Sequence, residues 1–265
     1  MSGKSIKIYV SLSILLFITA CDGRVEPDLS SYMDAASEIP PEVWEQMDPD
    51  VREALAEGTK YVALTFDDGP RRGTTEVLLD GLNSRGVQAT FFVIGTQVGC
   101  AGNEELLLRM KNEGHQVGNH TYSHVRLSTA TQNIAEEEIK KNEVILKEIL
   151  GEGEYWLRPP YGMIGTCQAE MVNTPMIYWS LDPEDWKVLD AKKVADFVVE
   201  NVEDGDIVLL HDFYASSVEA ALQIIDRLQQ EGYVFVTVEE MFRIKGVTPE
   251  NGVLYASPEQ IRAIQ

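Results

Sequence analysis

The chain has 265 residues, enough for one sizeable domain with a full core and short extensions, and with little room for a second such domain. Lysine and arginine number 22 against 43 aspartates and glutamates, a formal charge of -21. That balance argues against nucleic acid or an anionic membrane surface as a partner, since both need clustered positive charge, and it leaves a neutral ligand such as a sugar unaffected.

In chain order, Lys4 and Lys7 precede an apolar run from Ile8 to Ala20 that has the charged start and short core of a signal peptide and is too short for a membrane span. Export is expected, with residues 1–20 as the leader. Cys21 stands where a small residue leads out of that run; an ordinary cleavage beside an incidental cysteine is the alternative. Residues 21–40 are acidic, small and polar and read as a tether, and a short helical lead-in opens a domain over 41–245.

From Tyr61 the chain alternates. Strand-like runs occur at YVALTF, ATFFVI, QVGNH, YWLR, MIYWSL, DIVLLH and YVFVTV. Between them lie helical patterns such as TTEVLLDGLNSRG, NEELLLRMKNEG, AEEEIKKNEVILKEILG, KKVADFVVENVEDG and VEAALQIIDRLQQEG, several closed by glycines at 86, 114, 151 and 232. Strand followed by helix, repeatedly, argues an α/β fold with a parallel sheet, and the short links favour a closed or partly closed barrel. The link between YWLR and MIYWSL is poorest in helix, and residues 246–265 read as an uninformative tail.

Catalytic groups of such folds come from the C-terminal ends of strands. There the sequence places Asp67 and Asp68 after YVALTF, His120 after QVGN, Arg158 at the end of YWLR, Asp182 and Asp185 after MIYWSL, and His211 at the end of DIVLL. Successive strand side chains point to opposite faces, so Asp67 and Asp68 have separate roles unless the strand ends between them, where Gly69-Pro70 supplies a turn. Taken alone, that turn also suits an acidic cap of the next helix. His120 and His124 have the spacing of one face of a helical turn, which suits two imidazoles on one metal, and equally two capped surface histidines. A catalytic zinc commonly keeps three protein ligands, and Asp68 is the candidate third. Asp67 suits a base oriented by Arg158, and His211 an acid whose imidazolium Asp185 stabilises; either partner could instead belong to a structural ion pair. His115, at a helix stop, reads as structural. Cys100 and Cys167 fall in loops after strands and are the candidate disulfide pair for an oxidising compartment.

In order, TFDDGP, HTYSH, RPPYG, DPEDW and LLH resemble the motifs of the polysaccharide deacetylases, the family-4 carbohydrate esterases, from Tyr61 to about Phe242. The resemblance implies an incomplete, distorted (β/α)7 barrel with Asp67 as general base and Asp68, His120 and His124 as ligands of a divalent metal, by default Zn2+ with Co2+ or Ni2+ compatible. It further implies that Arg158 orients Asp67, Tyr161 offers its backbone N–H to the oxyanion, Trp186 and Leu209 line the pocket for the acetyl methyl, and Asp185 tunes His211 as general acid. The reaction implied is removal of N-acetyl groups from an N-acetylglucosamine-type glycan, peptidoglycan or chitooligosaccharide, with release of acetate. An O-acetyl xylan esterase or a non-catalytic glycan-binding lipoprotein is the alternative. The partners implied are an acetylated glycan and, because Ile18-Thr19-Ala20-Cys21 resembles a bacterial lipobox, a membrane reached through lipid on Cys21; no nucleic acid is expected, and the protein is expected to be a monomer. In a Gram-negative cell, Asp22 resembles the signal for retention at the periplasmic face of the inner membrane. Two departures from the family pattern border the groove: Val125-Arg126 stands where proline often follows the second histidine, and the stretch from Tyr161 to Trp179 is short and contains Cys167. Both bear on which polymer can lie across the site.

Overall fold

The computed structural model describes residues 58–264. The leader, Cys21, the tether and the helical lead-in expected at 1–57 lie outside the described residues. In chain order the elements are β1 (Lys60–Asp67), α1 (Thr75–Ser84), β2 (Thr90–Val93), α2 (Gly95–Val98), α3 (Asn103–Asn112), β3 (Gln116–Asn119), α4 (Gln132–Leu150), α5 (Thr166–Ala169) and β4 (Met176–Ile177). They continue with α6 (Asp185–Val188), α7 (Ala191–Asn201), β5 (Asp206–His211), α8 (Ala215–Gln230), β6 (Tyr233–Phe235), α9 (Val238–Ile244), β7 (Leu254–Ser257) and β8 (Gln260–Ile261).

A parallel sheet in the order β3-β2-β1-β5 forms the body, with β6 also on β1. Along β1, β6 pairs the first residues and β2 the last, while β5 pairs it from Val62 to Asp67. KYVALTFD is near-continuously apolar and buried from Val62 onward, as a strand covered on both faces must be. Its alternation divides two environments. Val62, Leu64 and Phe66 pack with Leu78, Leu82, Val194 and Ile224 of the surrounding helices, whereas Ala63 packs with Phe92, Ile177, Ile207 and Tyr255 on the inner side. Asp67 shares the parity of Ala63 and so leaves the strand towards the interior.

The helices form where the 3.6-residue apolar period runs, and side chains cap several of them. Thr131 accepts from Ile134 N at the start of α4, Asp190 from Lys193 N at the start of α7, and Thr237 with Glu240 forms a reciprocal capping box on α9.

The runs on the far side of the barrel are shorter than their composition suggests. YWLR contributes one bridging residue, Leu157, between Asn119 and Met176, because Pro159 and Pro160 cannot extend a ladder. MIYWSL is strand only at Met176–Ile177, and Leu181 bridges to Val208. The expected tail is structural: Leu254 and Tyr255 of β7 pair in parallel with Met176 and Ile177 and are buried. A four-residue strand flanked by polar segments carries too little period to be recognised beforehand. The barrel is thus a long parallel sheet and a small β4-β7-β8 sheet, joined by isolated bridges.

Candidate active site

Register assembles the site. Pairing sets Asp67 level with Phe92 and His211. The ladder then continues beyond the strand ends: Ile94 N donates to Gly69 O at 3.0 Å, His120 N to Val93 O at 3.0 Å, and Arg158 N to Asn119 O at 2.9 Å. Residues far apart in sequence therefore meet at one depth on the C-terminal face.

Asp68, His120 and His124 each offer one ligand atom within 4.8 Å of the others. Asp68 Oδ1 lies 3.5 Å from His120 Nε2 and 3.3 Å from His124 Nε2. This oxygen is buried without a hydrogen-bond partner, an arrangement that is costly unless a cation sits among the three atoms. His120 Nδ1 is 2.7 Å from Arg158 O; since a carbonyl only accepts, Nδ1 carries the proton and the Nε2 lone pair faces Asp68. Burial and the neighbouring His120 push the His124 pKa below its usual value, favouring the neutral imidazole that binds metals. The three residues fit a divalent metal.

The segment from His120 to His124 is an irregular loop, not the helical turn its spacing suggested, with Thr121 at φ 65° and His124 at φ 61°. Side chains impose this left-handed backbone, which a β-branched residue rarely adopts. Asn119 Oδ1 accepts from Thr121 N at 2.8 Å, Asn142 of α4 donates to Asn119 Oδ1 at 2.9 Å and to Val93 O at 2.8 Å, and Thr121 Oγ1 accepts from His124 N at 3.1 Å. Asp68 itself is at φ 74°, so it leaves the strand geometry that Asp67 keeps.

Asp67 Oδ1 accepts from Arg158 Nη1 at 2.8 Å, and Oδ2 lies 3.7 Å from His120 Nε2, on the side of the ligand cluster. Arg158 is fully buried. It also donates from Nη1 to Thr65 Oγ1 at 2.7 Å, from Nη2 to Tyr178 O at 2.7 Å and from Nε to Ile177 O at 3.3 Å, and its guanidinium stacks 4.1 Å from the Phe92 ring centroid. A buried cation persists only with such complete pairing.

On the other side, His211 Nδ1 is 2.8 Å from Asp185 Oδ1, and Asp185 Oδ2 accepts from His211 N at 2.9 Å. Burial opposes charging of His211, but the hydrogen bond to Asp185 and the charges of Asp185, Asp67 and Asp68 outweigh it and raise its pKa to about 9. Asp182 accepts from Glu184 N at 2.8 Å, and burial raises its pKa.

This arrangement recurs in known proteins. A profile described as polysaccharide deacetylase matches residues 55–173. A peptidoglycan-N-acetylglucosamine deacetylase of Bacillus cereus is 36% identical over 194 residues, covering 70% of this chain and 90% of that protein. The structure of a family 4 acetyl xylan esterase from Clostridium thermocellum, in complex with a cobalt ion, matches 76% of this chain and 100% of its own at 32% identity and a TM-score of 0.72.

The chain belongs to the polysaccharide deacetylase family.

Another member, the peptidoglycan-N-acetylmuramic acid deacetylase PdaC of Bacillus subtilis, is 38% identical over 193 residues, or 73% of this chain and 41% of that protein. The chain thus spans about two fifths of the length of the first curated relatives it matches. The polysaccharide deacetylase profile reaches Asp67 through Tyr161, while Asp185 and His211 lie beyond it.

At the rim of this site, Tyr161 is half-exposed at φ 62° and meets the His124 ring edge-on at 4.7 Å. Gly162, at φ 64°, follows; a Cβ there would overlap the Tyr178 ring, so this turn requires glycine. Trp186 is exposed, and Leu209 is buried.

Sequence reasoning missed Thr65, Asn119, Asn142 and Asp212. Asp212 is fully buried, accepts from Thr75 Oγ1, and sits where a Cβ on Gly69 would strike its carboxylate. Burial raises its pKa to about 7. Its place beside His211 was the available signal. His115 is buried and accepts from Ala89 N at 3.1 Å; burial lowers its pKa to about 4.

The candidate Cys100–Cys167 disulfide is not formed. Both thiols are free and exposed, Cys100 Sγ turning back to Thr96 O at 3.5 Å and Cys167 lying in α5, where its carbonyl accepts from Gln132. Loops on the same end of a barrel need not be neighbours: Cys100 follows α2, and Cys167 lies within α5.

Proposed function

We propose that the protein is a metal-dependent hydrolase that removes N-acetyl groups from a glycan of N-acetylglucosamine type, releasing acetate. The observation that carries this reading is the pair of arms around the Asp68–His120–His124 cluster: Asp67 bound to Arg158 on one side, His211 bound to Asp185 on the other. A divalent ion held by the three residues, zinc by default, supplies Lewis acidity toward the acetyl carbonyl and toward water. Asp67, its Oδ1 committed to Arg158, takes the proton of the attacking water at Oδ2. The backbone N–H of Tyr161 donates to the developing oxyanion, and Trp186 and Leu209 border the acetyl methyl. His211, with Nδ1 tied to Asp185, donates from Nε2 to the nitrogen as the carbonyl carbon–nitrogen bond breaks, leaving an amine on the sugar and acetate.

Peptidoglycan is the first candidate polymer because peptidoglycan deacetylases are among the relatives. The likeness to an acetyl xylan esterase supports O-deacetylation as the second reading. Acetate release from N-acetylglucosamine oligomers, peptidoglycan and acetylated xylan, after chelation and after zinc is restored, tests both. Zinc-dependent release from the N-acetylated substrates supports the proposal; release from xylan alone moves the assignment to the esterase, and release from none overturns it. The lipobox-like Ile18–Cys21 stretch supports an envelope lipoprotein; Cys21→Ala is then expected to leave the membrane fraction, and continued pelleting would reject the anchor.

A further inference from the structure

Arginine is scarce in this acidic chain, and most arginines among the described residues reach a carboxylate. Arg71, Arg126 and Arg262 have no such partner among the described residues and lie over aromatic rings instead, Arg71 over Phe213. The Arg126 guanidinium is 4.5 Å from the Tyr161 ring centroid and that of Arg262 is 4.0 Å from the Tyr178 centroid. Those two rings flank one turn: Tyr161 meets the metal-site residue His124 at 4.7 Å, and Tyr178 packs where Gly162 leaves room.

Arg126 is tethered to the site twice, by following His124 after one residue and by Nη1 lying 3.0 Å from Met163 Sδ, a weak acceptor. It is exposed. A guanidinium laid over a ring keeps its planar edge of N–H donors directed outward, the geometry that receives a carboxylate through two parallel hydrogen bonds. We propose that Arg126, held over Tyr161 beside the metal-binding loop, is a specificity residue that binds a carboxylate carried by the glycan next to the acetylated sugar. This rests on the deacetylase reading above and narrows it to acidic glycans, with Arg262 as a second guanidinium on the same aromatic arc.

Three soluble oligomers of equal length test it: a neutral N-acetylglucosamine oligomer, one whose alternate sugars carry a lactyl carboxylate, and one whose lactyl groups carry peptide stems. Calorimetric binding and acetate release are both measured for the full protein and for Arg126→Gln and Arg126→Lys. The native protein is expected to prefer a carboxylate-bearing oligomer by about tenfold or more, chiefly in KM, with the preference weakening as salt is added. Arg126→Gln is expected to remove most of that preference, and Arg126→Lys to restore only part of it, because an ammonium lacks the planar fork. Preference for the peptide-free acid identifies the sugar carboxylate, and preference confined to the stem-bearing oligomer identifies the peptide carboxylate. Acetate release with no acidic preference, or with one that survives Arg126→Gln, overturns this inference and leaves the deacetylase reading standing. An Arg126-dependent binding preference without acetate release from any oligomer does the reverse.

Discussion

Asp67 and Asp68 are adjacent in sequence yet occupy different environments, because one keeps strand geometry and the other abandons it. Asp67 follows the alternation of β1 inward to the buried Arg158, and Asp68, at φ 74°, turns to the two imidazoles. Asp67→Asn keeps the shape and loses the base: turnover is expected to fall about 10²–10⁴-fold with metal content unchanged, checked by acetate release and metal analysis of the same sample. Full activity in that variant would end the base assignment. His211 gives a pH test. With a pKa of about 9 it stays protonated through neutral pH, so activity that needs its proton is expected to decline as pH rises through that value. In Asp185→Asn the supporting charge and one of the two acceptor oxygens are lost, and the alkaline limb of the kcat profile is expected to move to lower pH. Because the folded-state pKa is raised from 6.5, the His211–Asp185 pair stabilises the fold fully below pH 6.5, and that contribution is lost as pH climbs through about 9.

Among elements, the loop from His120 to His124 shows most clearly what spacing can and cannot reveal. The interval of four residues suggested two ligands on one turn; it did not reveal that Asn119 and Asn142 hold a non-helical backbone in place. Those amides come from β3 and from the buried face of α4, and nothing in the motif itself points to α4. Asn119→Ala removes the acceptor for Thr121 N inside the loop. The expected result is metal affinity weakened about 10–100-fold and stability lowered by about 1–3 kcal/mol, read by competition with a chelator and by denaturant unfolding. Unchanged affinity would mean that the ligand loop keeps its shape without that bond. The turn after β1 follows the same logic, since Gly69 is required by a carboxylate, Asp212, that enters from the end of β5.

At the scale of the molecule, the stretch after Lys245 supplies β7 and β8 to the barrel. Leu254 and Tyr255 bury themselves against β4, and Arg262 returns over Tyr178, whose ring packs beside Gly162. Truncation after Lys245 exposes Met176 and Ile177 and is expected to abolish a single cooperative unfolding transition, observed by thermal unfolding of the shortened and full chains. An unchanged transition would show that the β4-β7 pairing is dispensable. The strand–helix alternation, the sheet strands that carry polar residues at their ends, and the family motifs were legible in the chain alone, because these are written in local period and residue type. The folded chain settled which strand ends lie at one depth, because register is set by pairing between β1, β2, β5 and the bridging residue Leu157. It also decided that Cys100 and Cys167 stay apart, that Asp212 sits beneath Gly69, and that Arg126 lies over Tyr161, since each depends on where loops distant in sequence come to rest.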